Sequence, residues 1–298
     1  MRRLRVATRG SALARLQTER VVRRLDLDPD RDVETVVVTT TGDRRLDVEI
    51  HTMGGVGVFV KEVEDAVLEG RADFAVHSAK DLPARTVPGL VLAALPERAD
   101  PHDALVGSTL ADLPTGAVVA TGSVRRRAQL AALRPDLQFA SLRGNIETRL
   151  RKASAFDAAV VAAAALDRLG LTGHVADILD TARMLPQVGQ GALAVECRAD
   201  DSEVIAALGG IDDHATRMAV TAERAFLAEL GGGCELPVGA LGQVDEEVVV
   251  LDVLLASHDG SVVLRATERG SDPAAVGVAA ALALLERAGG RMLLESIA

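Results

Sequence analysis

Apolar and polar positions alternate in short blocks over the first two thirds of the chain and change rhythm near residue 212. Leu4 to Thr8 is a short apolar run, Ser11 to about Leu25 repeats apolar positions at helical spacing, and Val33 to Thr41 is β-branched. The three segments predict strand, helix and strand. Val58 to Gly70 again has the helical pattern, and Phe74 to His77 predicts the next strand. Between Gly42 and Gly57 the chain is polar and includes Met53-Gly54-Gly55-Val56-Gly57, the composition of a mobile lid.

A second block of the same kind follows the turn-like Ala99-Asp100-Pro101, with strands predicted at Val118 to Thr121, Gln138 to Ser141 and Ala158 to Ala162. Both blocks open alike. Thr8-Arg9-Gly10-Ser11 and Thr121-Gly122-Ser123 each follow an apolar strand and begin a helix, placing Gly, Ser and unpaired backbone N–H groups at a strand-to-helix junction. One such junction is an ordinary helix cap; two of them suggest paired anion sites across a cleft. Leu185-Pro186-Gln187-Val188-Gly189-Gln190-Gly191 is a Gly-punctuated turn, and the strand-like Ala192 to Cys197 behind it is able to lead back into the first lobe. From His214 the pattern becomes one helix through Glu229, a Gly loop, strands near Pro237 to Val244, Val248 to Ala256 and Val262 to Thr267, and a last helix, with Asp259-Gly260 as a hairpin turn. The expected division is an α/β lobe over 1–96 with 190–211, a second α/β lobe over 97–189, and a smaller α+β domain over 212–298.

Composition narrows what these lobes do. At 298 residues and 48% hydrophobic, the chain has material for several buried cores, and its two cysteines provide no disulfide framework, which fits a reducing compartment. The net charge of −10 argues against general nucleic-acid binding, which depends on Lys and Arg neutralising phosphates. Six scattered histidines in no ligand spacing argue against a dedicated metal site. The apolar stretch around Ala158 to Leu166 is far short of the roughly 20 residues that span a bilayer, and no apolar signal core follows Arg2 and Arg3. A cytoplasmic monomer without nucleic-acid or membrane partners is the expectation.

Basic residues nevertheless cluster locally. Arg9, the triplet Arg125, Arg126 and Arg127, and Arg143 with Arg149 all sit near predicted helix N-termini, where cations oppose the helix dipole. Either they bind several carboxylates or the triplet is a solvated helix face. Asp81, in His77-Ser78-Ala79-Lys80-Asp81-Leu82-Pro83, follows a strand at the end where open α/β sheets bind ligands. It pairs with Lys80 or an arginine for structure, or it stabilises a cation formed during reaction. Cys234 lies in Gly231-Gly232-Gly233-Cys234-Glu235-Leu236-Pro237, whose glycines uncover the thiol, whereas Cys197 in its apolar strand reads as a small buried hydrophobe.

Through ATRGSALA, GDRRLD, VHSAKDLP, TGSVRRRAQL, LRGNIETRL, PQVGQGALAVECR and TAERAFLAELGGGCELPVG, the chain resembles the porphobilinogen deaminase (hydroxymethylbilane synthase) family over nearly its whole length, least distinctively after about residue 245. The resemblance implies two lobes shaped like periplasmic binding proteins flanking a cleft, and a third domain with the cofactor cysteine. It implies that Cys234 carries a dipyrromethane primer through a thioether, built from the substrate porphobilinogen itself. By the same resemblance Arg9, Ser11, Asp43, Ser78, Lys80, Thr121, Ser123, Arg125, Arg126, Arg143, Gly144, Arg149, Arg168 and Gln190 bind the acetate- and propionate-bearing chain. Asp81 matches the family's catalytic aspartate. Ammonia leaves the substrate, the free α carbon of the terminal ring attacks the azafulvenium cation so formed, and a proton is lost. Four such cycles precede hydrolytic release of the linear tetrapyrrole, a transferase reaction of haem and related tetrapyrrole biosynthesis. Thr52 and Val56 stand where many members have lysines, and Gly122 stands where serine is common. The rival readings are a two-lobed anion- or dicarboxylate-binding protein without catalysis, and a regulatory effector-binding protein, for which no helix-turn-helix segment is present.

Overall fold

Strand β1 (Leu4–Arg9) leads into helix α1 (Ala12–Arg24), β2 (Val33–Val38), the one-turn α2 (Thr41–Arg44), α3 (Lys61–Leu68), β3 (Phe74–Ser78) and β4 (Leu90–Ala94) in the computed structural model, which describes residues 3–28, 31–44, 60–232 and 235–297. Next come β5 (Asp103–Val106), β6 (Val118–Ala120), α4 (Val124–Leu133), β7 (Gln138–Ala140), α5 (Ile146–Ala153), β8 (Ala158–Ala162), α6 (Ala163–Arg168) and β9 (Val175–Leu179). The chain returns through β10 (Leu193–Arg198) and α7 (Ser202–Gly209) to α8 (His214–Glu229). It ends with β11 (Val238–Asp245), β12 (Val248–Ala256), β13 (Val263–Gly270), α9 (Pro273–Leu282) and α10 (Gly290–Ile297). These elements group into two compact units, Met1–Ala99 with Ala192–Arg217, and Asp100–Gly191 with Met218–Ala298.

The first unit is built on a sheet of order β2-β1-β3-β10-β4, in which β1 runs parallel to β2 and β3 while β10 runs antiparallel to β3 and β4. The strand expected after the Gly-punctuated turn thus re-enters this sheet. Alternate residues serve opposite faces: Leu4, Val6, Phe74 and Val76 join Val21 and Val22 of α1 and Leu208 of α7, whereas Ala7 and Ala75 join Val63, Ala66 and Val67 of α3. Helices on both faces explain why β3 reads as a continuous apolar run.

The second unit holds a sheet of order β7-β6-β8-β5-β9 with the same mixture of directions, β6 being parallel to β7 and β8 and β5 antiparallel to β8 and β9. Its β8 is buried on both faces, Ala158 and Val160 against Leu105, Val119 and Leu130, and Ala159 and Val161 against Ala104, Val106 and Leu166. The antiparallel sheet β11-β12-β13 belongs to this unit too. Leu251, Val253 and Leu255 pack on Phe226 of α8 and Ala280 of α9, while Leu241, Leu254 and Ala256 pack on Ala128 of α4 and Leu185. At the hairpin turn Gly260 has φ 73°, and a Cβ there would run into the carbonyl oxygen of Ala128, so glycine is required for conformation and for contact. Two α/β lobes and a smaller α+β domain are the fold class expected from the sequence.

Some elements differ from the expectation. The β-branched run stops as strand at Val38, because Thr41 turns into α2, where its N and Oγ1 both donate to Glu62 Oε1 at 2.8 and 2.6 Å. Strands β4, β5 and β9 are additional. The last helix is interrupted by a π turn over Ala283–Arg287 before α10. Among the described residues no single helix is long and apolar enough to cross a membrane.

The turn between α4 and β7 carries a testable electrostatic feature. Hydrogen bonds from Arg134, with Nη2 2.7 Å from Oδ2, and from the Gly116 N–H hold the Asp136 carboxyl down to about 2. An unfolded aspartate titrates near 3.9. The contribution of Asp136 is therefore complete above about pH 4 and is lost as pH falls toward 2. Thermal melts from pH 5 to 2.5 are expected to fall less steeply for Asp136→Asn than for the parent, and identical slopes would contradict the assignment.

Candidate active site

In the first unit the site residues collect at the carboxyl ends of β1 and β3, which pair in parallel through Val6–Phe74 and Ala7–Ala75. Arg9 ends β1, Ser78 ends β3, and both are half-buried. Ser11 caps α1 by accepting the Ala14 N–H at 3.2 Å, and Gln17, buried on the same helix, donates from Nε2 to Ser78 Oγ at 3.1 Å. That bond ties the helix to the strand end. Ala79–Asp81 then forms one 3₁₀ turn fixed by the Ala79 N–H to the Ala192 carbonyl at 3.0 Å, which holds Lys80 and Asp81 just beyond the sheet. The half-buried Asp81 carboxylate has no hydrogen bond or ion pair among the described residues, so the structural pairing with Lys80 is not formed.

In the second unit the corresponding residues gather at the carboxyl ends of β6, β7 and β8. Thr121 is buried, its N–H donating to the Ala140 carbonyl at 2.8 Å, and Ser123 caps α4 by accepting the Arg126 N–H. A Cβ on Gly122 would lie 2.9 Å from the Leu142 carbonyl oxygen, so the close backbone approach favours glycine there. Gly144 has φ 116° and a Cβ there would meet Thr148 Cγ2 at 2.7 Å; its carbonyl accepts Arg149 Nε at 2.8 Å. Arg143, half-buried beside it, offers its carbonyl to Lys152 Nζ at 3.5 Å. Arg168 closes α6, buried, with Nη2 on the Gly191 carbonyl at 2.6 Å.

The arginine triplet divides. Arg127 is exposed above the Phe139 ring, but Arg125 and Arg126 are only 3% and 5% exposed and point inward with Gln129 and Leu130, one helical turn further on. Both meet Asp103 at the start of β5, Arg125 Nη1 lying 2.7 Å from Oδ2 and Arg126 Nη2 2.7 Å from Oδ1. Arg125 also donates to the Leu185 carbonyl at 2.7 Å and Arg126 to the Val160 carbonyl at 3.1 Å. Gln190 is wholly buried, its Nε2 donating to Asp103 Oδ1 at 2.9 Å and to the Pro101 carbonyl at 2.8 Å, its Oε1 accepting from Arg126 at 3.5 Å. Burial works to raise the Asp103 carboxyl, but the Arg125 and Arg126 guanidiniums together outweigh it and hold it well below the usual carboxylate range. Burial pushes Arg125 below its ordinary value, with Asp103 opposing and Arg126 reinforcing the shift.

Two guanidiniums share one carboxylate, and Nε and Nη2 of Arg125 are buried without an acceptor among the described residues. The cluster keeps one positive charge in excess and unmet donors, which costs stability until an anion supplies acceptors. A ligand bearing several carboxylates, such as a dipyrromethane, fits this donor set. On this basis Arg125→Leu is expected to leave a neutral Arg126–Asp103 pair and to stay within about 1 kcal/mol of the parent. Asp103→Asn strands two buried cations and is expected to cost about 3–5 kcal/mol. Urea unfolding of both variants checks this order, and an Arg125→Leu protein less stable than Asp103→Asn would contradict it.

Cys234, Thr52 and Val56 lie outside the described residues, as does the side chain of Asp43, whose backbone falls in α2. Cys197 is fully buried and burial pushes its thiol up to about 11, which leaves it unreactive. Sequence reasoning missed Asp103. It also missed Glu223, a buried carboxylate on α8 that accepts the Gly189 N–H at 2.6 Å and the Gly242 N–H at 2.9 Å, fastening the 185–191 turn to β11. An acidic residue heading an apolar strand was the available sign of the first, and one on the apolar face of a helix the sign of the second.

The family model for the porphobilinogen deaminase dipyromethane cofactor binding domain matches residues 4–206, and that for the porphobilinogen deaminase C-terminal domain matches residues 217–286. The chain belongs to the porphobilinogen deaminase family. It is 47% identical over 302 residues to the porphobilinogen deaminase of Brevibacillus brevis, covering 99% of this chain and 98% of that protein. To that of Roseiflexus sp. it is 50% identical over 297 residues, 97% of each, and to that of Acidothermus cellulolyticus 49% over 303 residues, 98% of this chain and 91% of that protein. Among solved structures, a nutrient binding protein from Burkholderia cenocepacia bound to methionine matches 69% of this chain and 89% of its own, with 14% identity and a TM-score of 0.42. The first family model spans both groups of site residues, and the second begins within α8 and ends within the π turn.

Proposed function

We propose that this protein is a porphobilinogen deaminase, a transferase that condenses porphobilinogen head to tail, with loss of ammonia, into the linear hydroxymethylbilane. The observation that carries the reading is the buried Arg125–Arg126–Asp103 cluster, with its excess charge and unmet donors, in a chain of this family. Arg9, Ser11, Ser78, Lys80, Thr121, Ser123, Arg125, Arg126, Arg143, Gly144, Arg149 and Arg168 receive the carboxylates of the dipyrromethane and of the growing chain, while Asp43, an acceptor, suits the pyrrole N–H groups and Gln190 contributes through Arg126. Charge-assisted bonds of this kind contribute about 1.5–3 kcal/mol each. Cys234 is the point of thioether attachment. When bound, the primer supplies the nucleophilic pyrrole carbon and the anchor for elongation.

Asp81 acts at the reacting end. Its carboxylate is not engaged by a neighbour among the described residues and sits where open α/β sheets take their ligands, so its charge is available to the substrate. It stabilises the positive charge that departing ammonia leaves on porphobilinogen and accepts the proton released after bond formation. The reaction runs in the cytoplasm on a monomer. Incubation of the purified protein with porphobilinogen tests the assignment: consumption with one ammonia released per molecule and a linear tetrapyrrole as product is expected. Binding without consumption would instead favour a two-lobed anion-binding protein.

A further inference from the structure

We propose that Asp103 is a positioning residue of this site, holding the Arg125 and Arg126 guanidiniums side by side so that their remaining N–H groups meet the ligand's carboxylates. The inference rests on the reading that these arginines bind the primer and the growing chain. Asp103 is fully buried at the head of β5, and its two oxygens divide the work, Oδ2 holding Arg125 and Oδ1 holding Arg126. Gln190 pins the arrangement from the 185–191 turn by donating to Asp103 Oδ1 and accepting from Arg126. Two adjacent guanidiniums repel one another, and without the carboxylate they would part or turn toward the carbonyls of Leu185 and Val160, which they already touch. Since Asp103 and Gln190 spend their polar atoms within the cluster, they act on the ligand only through the arginines.

The ligand's carboxylates do not react, so misplacing their partners should weaken binding far more than the chemical step. Loss of the hydrogen-bonding partner behind a metal-binding side chain lowers affinity about 10–100-fold, and an effect of the same order is expected for the carboxylate behind these guanidiniums. Asp103→Asn, Gln190→Met and Arg125→Leu would be compared with the parent and with Leu130→Ala, a core truncation in α4 outside the site. Each is followed by thermal melting, by intact mass for the fraction carrying primer, and by KM and kcat on the loaded fraction at a temperature where the melt shows it folded. Asp103→Asn is expected to lower primer loading and raise KM about 10–100-fold with kcat on loaded protein changed less than about threefold. Leu130→Ala should lower the melting temperature and leave loading and KM alone. Parental loading and KM in Asp103→Asn, alongside an impaired Arg125→Leu, would overturn the positioning role only. Parental behaviour in Arg125→Leu would overturn the binding role of the arginine and with it the reading beneath. Should Asp103→Asn fail to fold, Gln190→Met decides. It removes the pin without changing charge, a loss in the same direction of about 3–10-fold is expected, and parental values there would overturn the proposal.

Discussion

Asp81→Asn is expected to give a folded, primer-loaded protein whose turnover is slower by about 10²–10⁴-fold. Asparagine keeps the size and most of the hydrogen-bonding capacity of the side chain, so the variable removed is charge. The fold has little to lose. Asp81 ends a single 3₁₀ turn held by a backbone bond from Ala79 to Ala192, and its carboxylate has no hydrogen bond or ion pair among the described residues. Even a surface pair with Lys80 would contribute only about 0–1 kcal/mol. Single-turnover elongation on loaded protein, with a thermal melt beside it, separates chemistry from stability. An elongation rate within about threefold of the parent would remove Asp81 from the mechanism.

Cys234→Ser is expected to abolish sustained turnover while sparing the fold. Serine offers no thiolate for the thioether, so the arginines could hold a primer only reversibly. The neighbouring structure is secured independently of the thiol: Gly231, two residues past α8, has φ 69°, and Leu236 is buried in the core formed by α8 and the three-stranded sheet. The melting temperature of Cys234→Ser should therefore match that of a parent sample lacking primer. Normal turnover by the variant, or a covalent adduct surviving in its mass, would show that the attachment point lies elsewhere.

The elements most legible in the sequence were those whose pattern repeats over enough residues to fix a face. Helix α8 runs from His214 to Glu229 and β12 from Val248 to Ala256, as the periodicity predicts, and Ser11 and Ser123 cap the helices they were expected to open. Short strands were not legible. Strand β5 is only Asp103–Val106, and β9, Val175–Leu179, is five residues long with the single charged Asp177 among apolar ones and no alternation to mark a face. Their status as strands comes from pairing with β8 and with each other, a tertiary fact. The site was half legible for a related reason. The residue pattern put the arginines near helix N-termini and treated Arg125, Arg126 and Arg127 alike, the resemblance singled out the first two, and helix geometry turns those two inward and Arg127 to solvent. Asp103, the residue that makes two buried guanidiniums tolerable, lies 22 positions before Arg125, and nothing local announces the pairing.

The intact mass of freshly purified protein, followed by peptide mapping, decides whether Cys234 carries a dipyrromethane. The expected polypeptide is heavier than its sequence by the two pyrrole rings of a dipyrromethane, with the added mass confined to the peptide containing Cys234. A protein at its unmodified sequence mass that stays unmodified after incubation with porphobilinogen, or an adduct carried by the buried Cys197, would contradict it.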